Sequence, residues 1–166
     1  MDEAVLRALT KWPDVPEVYG WLVLDRRGEW RLRVQGAEPG FERIGNRALR
    51  DFIGRNYAAD ARGRWYFQNG PQKVYVRLAY APLVVRLDAD GLVDHCGLAF
   101  GEPRGMWLDE EGSLLLLGER GMGLMDDRDL AAFAAQRGDN LAELPVVHRV
   151  MAPGRFVYVQ DPRPEA

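Results

Sequence analysis

Hydrophobic and polar positions alternate most clearly between residues 62 and 80, in the segment RGRWYFQNGPQKVYVRLAY. A period of two is typical of β-strands, and Asn69-Gly70 marks a turn between two such runs. Because Pro71 has no N–H to close a two-residue loop, we expect the four-residue loop 69–72, with Gln68 opposite Lys73. This register predicts a hairpin with one buried face and one outward face.

The two faces of this hairpin differ in chemistry. Trp65 and Phe67 share the face that we predict to be buried. The other face is aromatic and basic, with Tyr66 opposite Tyr75, and we call it the Tyr/Arg strip: Arg64, Tyr66, Lys73, Tyr75 and Arg77. We expect Arg64 to face Arg77 across it. Such a strip suits either an ordinary solvated face, with arginine over tyrosine, or a site that holds an anion.

Four expected turns share the spelling Asp-x-x-Gly, at residues 25–28, 60–63, 88–91 and 109–112. Asp at the first position and Gly at the fourth suit a type I turn followed by a left-handed glycine. The first turn sets Leu24 opposite Trp30, and the third sets Leu87 opposite Val93 and Arg86 opposite Asp94. The flanking strands do not match, so we interpret the spelling as a turn device and reject a sequence repeat or calcium loops.

The remaining patterns complete the predicted fold. Apolar runs predict a meander through residues 105–117 and 122–125, and a last hairpin of 146–151 with 155–160. Helical spacing predicts helices at 2–11, at 46–55 and from Asp126 to Gly138. About ten strands with about three helices predict an α+β fold of predominantly antiparallel hairpins, in a bent sheet or a two-layer or barrel-like arrangement. We expect one globular domain over 1–160 and a flexible tail over 161–166.

Two stretches of the chain resemble a known family. The segments NRALRDFIGRNYAADARGRWYFQNGPQKVYVRL and WPDVPEVYGWLVLDRRGEWRL look like a family of small proteobacterial proteins known only as a domain of unknown function. The resemblance covers roughly residues 12–80. It implies a bacterial cytosolic setting and transfers no catalytic residue.

The charge distribution and the cysteine content indicate possible partners and the cellular compartment. Residues 1–80 hold 14 basic and 10 acidic side chains (net +4), whereas residues 81–166 hold 8 and 15 (net −7). Such a split suits an anion-facing first half, a head-to-tail pair of copies, or simple balance within one domain. With one cysteine, no signal peptide pattern and no membrane-length apolar run, we expect a cytoplasmic protein.

Candidate catalytic residues are few. His95 and Cys96 are neighbours on an expected strand, where side chains point to opposite faces, so they do not form a dyad there. His148, beside Val146 and Val150, has the pattern of a core or interface histidine, and Cys96 would need it as a partner. The histidine and cysteine spacings match no zinc motif. The two glycine-rich stretches, 101–105 and 118–123, lack the sequence pattern of a nucleotide-binding loop. We therefore expect no metal site and no cofactor.

Two functional hypotheses follow from these patterns. The first is a non-enzymatic ligand- or protein-binding module that uses the Tyr/Arg strip to hold a small anion, an acidic protein surface or a second copy of the chain. The sequence lacks an RNP1-like string and is acidic overall, so nucleic acid is not an expected partner. Because no apolar run has the length of a membrane span, we expect no membrane partner either. The alternative is a small enzyme whose acid and base are assembled only by the fold, from His148, His95 or Cys96.

Overall fold

A computed structural model describes residues 1–35, 40–138 and 141–164, whose strands form two open, mixed sheets. Contacts divide the chain into unit 1, comprising Met1–Asp25, Glu29–Ala79 and Tyr158–Ala166, and unit 2, comprising Arg26–Gly28 and Tyr80–Val157. One sheet belongs to each unit. The predicted α+β class is confirmed, and the single globular domain stays a prediction.

The sheet of unit 1 has six strands: β1 (Val18–Leu24), β2 (Trp30–Val34), β3 (Gly40–Arg43), β4 (Tyr57–Ala59), β5 (Trp65–Asn69) and β6 (Gln72–Leu78). Their order is β3-β2-β1-β6-β5-β4. β1 and β6 run parallel, and the other neighbouring strands run antiparallel. Leu24 pairs with Trp30, as the sequence predicts.

The β5–β6 hairpin has the predicted register. Gln68 lies opposite Lys73, and Trp65 and Phe67 are buried. The predicted four-residue loop 69–72 is wrong, because Asn69 pairs with Gln72 and leaves only Gly70 and Pro71 in the loop. The pair that closes this loop does not need the N–H that Pro71 lacks.

The far end of this hairpin differs from the prediction. Pairing of β5 with β6 begins at Tyr66, so the prediction that Arg64 faces Arg77 is wrong. Trp65 pairs instead with Ala59 on β4, and Arg64 forms a bridge with Val159. The tight turn after β4 holds Arg64 before β5 begins.

Two helices of unit 1 lie where helical spacing predicts them: α1 spans Glu3–Lys11 and α2 spans Arg47–Arg55. The N-cap of α2 is Asn46, whose side chain accepts a hydrogen bond from the Leu49 N–H at 3.0 Å. The predicted tail is described as far as Pro164, and residues 165–166 lie outside the described residues. Pro162 within it is buried.

The sheet of unit 2 has five strands: β7 (Leu83–Asp88), β8 (Gly91–Asp94), β9 (Gly105–Leu108), β10 (Leu114–Leu117) and β11 (Met122–Met125). Their order is β8-β7-β11-β10-β9, with β7 and β11 parallel. The predicted meander is confirmed as β9, β10 and β11. Helix α3 spans Leu130–Arg137 and ends at Gly138, a 3-10 turn spans Leu141–Glu143, and helix α4 spans Ala152–Phe156.

The predicted register of the third hairpin is wrong by one residue. Arg86 pairs with Val93, and Asp94 lies opposite Val85, because Asp88 and Gly91 close a two-residue loop. The expected ion pair between Arg86 and Asp94 is therefore absent from these strands. Arg86 Nε contacts Asp129 Oδ2 at 3.2 Å.

The predicted last hairpin is also wrong, because α4 occupies its turn. Pro153 lies in the first helical turn, where a proline loses no hydrogen bond, so the Pro-Gly pair starts a helix instead of a hairpin. Val157 ends the helix with φ 55, a left-handed conformation that is costly for a β-branched residue. Val146 and Val150 are exposed.

The two units repeat one strand arrangement although their sequences do not repeat. In each, the first strand pairs antiparallel with the second and parallel with the last strand of a three-stranded meander. The registers also correspond: Ala59–Trp65 matches Leu108–Leu114, Tyr66–Tyr75 matches Leu115–Leu124, and Arg64 matches Ser113. Position by position, the β4–β5–β6 meander of unit 1 is thus equivalent to the β9–β10–β11 meander of unit 2.

The Asp-x-x-Gly turns before β5 and β10 have the same internal bonding. Asp60 Oδ1 accepts the N–H groups of Arg62 and Arg64, at 2.9 and 3.0 Å. Asp109 Oδ1 likewise accepts the N–H groups two and four positions later, at 2.9 and 2.7 Å. The glycine of each turn has positive φ, which a side chain would strain. A further turn of this kind, which the sequence analysis does not predict, lies at 94–97, where Asp94 Oδ1 accepts the N–H groups of Cys96 and Leu98.

Candidate functional site

Three tyrosines meet on the face of the β5–β6 hairpin that the sequence predicts to be outward, although Tyr75 is buried there, with 1% of its surface exposed. Tyr66 and Tyr75 lie opposite each other, with ring centroids 6.0 Å apart and planes at 69°. Because β1 lies beside β6, Tyr19 reaches the same place and stacks on Tyr75 at 4.7 Å and 17°. We call this group the tyrosine cluster, together with the charged residues around it: Tyr19, Tyr66, Tyr75, Glu17, Asp60, Arg64 and Lys73.

The Asp60 turn holds one side of the tyrosine cluster. Asp60 Oδ2 accepts hydrogen bonds from Arg64 Nε at 2.7 Å and from the Tyr75 hydroxyl at 3.1 Å. The Arg64 guanidinium lies 4.6 Å from the centroid of the Tyr75 ring. Arg64 is therefore fixed by a charge-assisted hydrogen bond and by an aromatic face together.

Glu17 holds the other side. Its Oε2 accepts a hydrogen bond from the Tyr19 hydroxyl at 2.6 Å, and its Oε1 lies 3.4 Å from the Tyr75 hydroxyl. Lys73 Nζ lies 3.5 Å from the same Oε1 and 4.8 Å from the Tyr66 ring centroid. Two cations and two carboxylates thus surround the three rings.

The surroundings keep the tyrosines, Glu17 and Asp60 in their usual states at neutral pH. Burial, and next the hydrogen bond to Asp60, raise the pKa of Tyr75 well above that of an ordinary phenol. Burial also acts to raise the pKa of Asp60, but the hydrogen bonds from Arg64 and its neighbours outweigh it and the pKa is lowered. The hydrogen bond from Tyr19 lowers the pKa of Glu17 against the effect of burial. The phenols therefore stay protonated and the carboxylates stay charged.

A surface depression adjoins the tyrosine cluster. It has a volume of about 510 Å³ and is lined by Glu17, Tyr19, Arg64 and Pro164. A carboxylate, a guanidinium and an aromatic ring thus border the same space. This volume lies within the range of about 300–1,000 Å³ that small-molecule sites occupy.

Four of the five predicted strip residues meet in the tyrosine cluster: Arg64, Tyr66, Lys73 and Tyr75. Arg77 does not join them, because it lies over the Phe41 ring at 5.9 Å. Sequence reasoning missed Tyr19, Glu17 and Asp60. The parallel pairing of β1 with β6 brings in Tyr19 and Glu17, and no local pattern reports it. Asp60 was recognised only as a turn residue.

His95 and Cys96 lie in the turn at 94–97, not on a strand, so the prediction that they point to opposite faces is wrong. Cys96 Sγ lies 3.6 Å from His95 Nε2. His95 Nδ1, however, accepts the Val84 N–H at 3.2 Å, which places the proton of a neutral imidazole on Nε2. The imidazole then faces the thiol with a donor and cannot take its proton.

The environment of Cys96 agrees with this assignment. Burial, and next the charge of Asp94, raise the pKa of the thiol to about 12. A thiol in that state is a poor nucleophile at neutral pH.

His148 is not a core histidine, since its side chain is 71% exposed, and its place at an interface stays a prediction. Its Nδ1 lies 3.8 Å from Glu110 Oε2. Within residues 1–35, 40–138 and 141–164, no three His, Cys, Asp or Glu side chains are grouped so as to hold a metal ion. No helix in the described ranges is long and apolar enough to cross a membrane.

Comparison with known proteins gives a family and a fold. The family model DUF2944, described as "Protein of unknown function (DUF2946)", matches residues 1–162. A DUF1285 family protein from Shewanella baltica has a similar structure, with TM-score 0.50 and 15% identity over 73% of this chain and 94% of that one. A DUF1285 family protein from Silicibacter pomeroyi gives TM-score 0.49 and 19% identity over 76% and 74%. No curated protein matches the chain.

Proposed function

The chain belongs to the DUF2944 family, whose description assigns no activity, and from its site we propose that it is a non-enzymatic binding module. The ligand of the tyrosine cluster is a small dipolar molecule, an amino acid or the free end of a peptide. It lies in the depression beside Tyr19, with its amino group toward Glu17 and its carboxylate toward Arg64.

The observation that carries this proposal is the pair of opposite charges that line one depression. Glu17 and Arg64 border the same volume as the Tyr19 ring. A zwitterion presents both complementary charges, and the aromatic ring offers a flat apolar surface between them. A ligand with one charge satisfies only half of this arrangement.

The balance of charge supports a dipolar ligand over the small anion expected from the sequence. Arg64 is paired with Asp60, and Lys73 is paired with Glu17, so the cations of the Tyr/Arg strip have carboxylates beside them. The site offers no excess of positive charge to a simple anion.

The protonation states support binding over catalysis at this place. General acid or base catalysis works best with a group whose pKa lies near the operating pH. The pKa values of Tyr19, Tyr66 and Tyr75 are raised, and those of Glu17 and Asp60 are lowered, so all five move away from neutrality.

NMR titration of the labelled protein with three small probes tests the proposal. Glycylglycine carries both charges, N-acetylglycylglycine lacks the amine, and glycylglycinamide lacks the carboxylate. We expect glycylglycine to bind about tenfold more tightly than either blocked probe. Each blocked probe lacks one hydrogen bond to a charged group, which contributes about 1.5–3 kcal/mol to binding, and less where the contact is exposed.

A variant of Glu17 tests the contact with the amino group of the ligand. Glu17→Gln should weaken glycylglycine about tenfold and leave N-acetylglycylglycine unchanged, because the blocked probe has no cation for Glu17. Arg77→Gln is the matched control, an arginine of the same hairpin outside the tyrosine cluster, and should bind as the wild type does. Equal binding of all three probes, or no binding, would overturn the proposal, as would equal losses in Glu17→Gln and Arg77→Gln.

A further inference from the structure

Unit 2 contains a pocket of about 470 Å³ beside its Asp109 turn. Its apolar floor comes from the meander and the start of α3: Leu114, Leu124, Met125 and Leu130. The rim is polar and includes Ser113 and Arg26. Apolar walls with a few placed polar groups are the usual composition of a small-molecule site.

Arg26 is the distinctive group of this rim. Its Nη2 donates a hydrogen bond to Ser113 Oγ at 3.0 Å, and its guanidinium lies 4.9 Å from the Tyr80 ring centroid. No carboxylate in the described parts of the chain lies within ion-pair distance of it. The hydroxyl and the ring therefore hold a half-buried cation in place while leaving its charge for an incoming anion.

The carboxylates of the rim have other partners. Asp127 pairs with Arg27 at 3.3 Å, and Glu111 pairs with Arg149 at 2.9 Å. These pairs leave the rim charges balanced except at Arg26. An anion that enters the pocket thus meets one oriented guanidinium, which can give two parallel hydrogen bonds.

The equivalence of the two meanders explains why the space exists. Ser113 takes the position of Arg64, and Leu124 takes that of Tyr75. In unit 1 the long arginine side chain lies across the tyrosine ring, whereas in unit 2 the short serine leaves a volume above leucine. The floor is apolar and the cation comes from Arg26.

We infer that this pocket binds an amphipathic anion, with a carboxylate or phosphate head on Arg26 and a short hydrocarbon chain on the floor. The head group forms charge-assisted hydrogen bonds with the guanidinium. The chain lies against the half-buried Leu130, beside Leu114, Leu124 and Met125, which are already buried. This site lies in unit 2 and does not depend on the function proposed for unit 1.

Binding of four probes tests the charged head and the hydrocarbon chain of the ligand separately: octanoate, octyl phosphate, octanol and acetate. Below their micelle concentrations, we expect octanoate or octyl phosphate to bind at least about tenfold more tightly than octanol or acetate, since each of the latter lacks one half. The better of the two anions identifies the head group. Shifts of the backbone amide signals of Gly112, Ser113 and Leu130 should locate the probe.

Arg26→Gln should remove the preference for the anion over octanol, while octanol itself binds unchanged. Arg104→Gln is the control, an exposed arginine of unit 2 outside the pocket, and should keep the wild-type preference. Amide spectra of both variants check the fold, and Arg26→Lys, which keeps the charge, should retain part of the preference. Failure of both anions to shift the pocket amides would overturn the inference, as would an undiminished preference in Arg26→Gln.

Discussion

The same hairpin face carries opposite chemistry in the two units. Tyr66, Tyr75 and Arg64 line it in unit 1, whereas Leu115, Leu124 and Ser113 occupy the equivalent positions in unit 2. The strand order, the registers of the meander and the bonding of the turn aspartate are shared. The backbone arrangement therefore does not depend on whether this face is aromatic and polar or aliphatic.

The difference teaches which residues build the fold and which build the site. In both units a tyrosine hydroxyl donates to the turn aspartate, from Tyr75 to Asp60 at 3.1 Å and from Tyr80 to Asp109 at 2.9 Å. Tyr75 lies within the face, on β6, whereas Tyr80 precedes β7 and leaves its face to leucines. The turn carboxylate is thus a shared anchor, and the side chains around it decide what each unit offers a ligand.

The largest expected effect comes from the equivalent core positions at the start of β5 and β10. Trp65→Ala should lower the free energy of unfolding by about 3–5 kcal/mol, and Leu114→Ala by about 2–5 kcal/mol, because each opens a cavity in a buried position. Urea unfolding followed by circular dichroism measures both.

Exposed residues of the same units serve as controls for these two variants. Leu32→Ala and Val150→Ala should change the free energy of unfolding by less than about 0.5 kcal/mol. A loss under about 1 kcal/mol for Trp65→Ala or Leu114→Ala would show that the two positions are not equivalent core sites.

Local patterns in the sequence predict most of the secondary structure. The alternation around Trp65, the Asp25 turn and the cap at Asn46 each depend on neighbours within a few residues, and all three are confirmed. Two errors also have local causes. Asp88-Ala89-Asp90-Gly91 closes a shorter loop than the same spelling elsewhere, and Ala152-Pro153-Gly154 starts a helix.

Long-range pairing is what the sequence does not reveal. The parallel contact of β1 with β6 joins Tyr19 to Tyr75, 56 positions apart, and hairpin rules apply only to consecutive strands. The sequence shows no repeat, because the residues that flank the Asp-x-x-Gly turns do not match. Only the registers relate Arg64 to Ser113, since the two side chains share neither size nor charge.

Substitutions of the two turn aspartates should have the next largest effect on stability. Asp60→Asn and Asp109→Asn should each lower the free energy of unfolding by about 1–3 kcal/mol at pH 7. An asparagine oxygen still accepts the two turn N–H groups, but its amide nitrogen cannot accept the tyrosine hydroxyl. Thermal and urea unfolding of both variants measure the losses, and the loss should be larger for Asp60→Asn, which also weakens the charge-assisted hydrogen bond from Arg64.

The pH dependence of these losses has a defined sign. The pKa values of Asp60 and Asp109 are lowered in the folded protein, so their charged forms stabilise it above the ordinary carboxyl pKa of 3.8. That contribution disappears as the pH falls through the lowered folded values. The difference between wild type and each variant should therefore be largest near pH 7 and shrink below pH 3.8, and a difference that grows on acidification would contradict the assignment.

The smallest expected effect comes from removing one hydroxyl group, that of Tyr75. Its equivalent in unit 2 is Leu124, which has no hydroxyl group. Tyr75→Phe should lower the free energy of unfolding by about 0.5–1.5 kcal/mol, because the ring keeps its stacking on Tyr19 while Asp60 and Glu17 lose a donor. Tyr66→Phe is the matched control, since no hydrogen bond joins the Tyr66 hydroxyl to a described residue, and its cost should be close to zero. Urea unfolding of the two variants at pH 7 resolves the difference. Equal values for both would mean that ring packing alone, as with Leu124 in unit 2, holds this position.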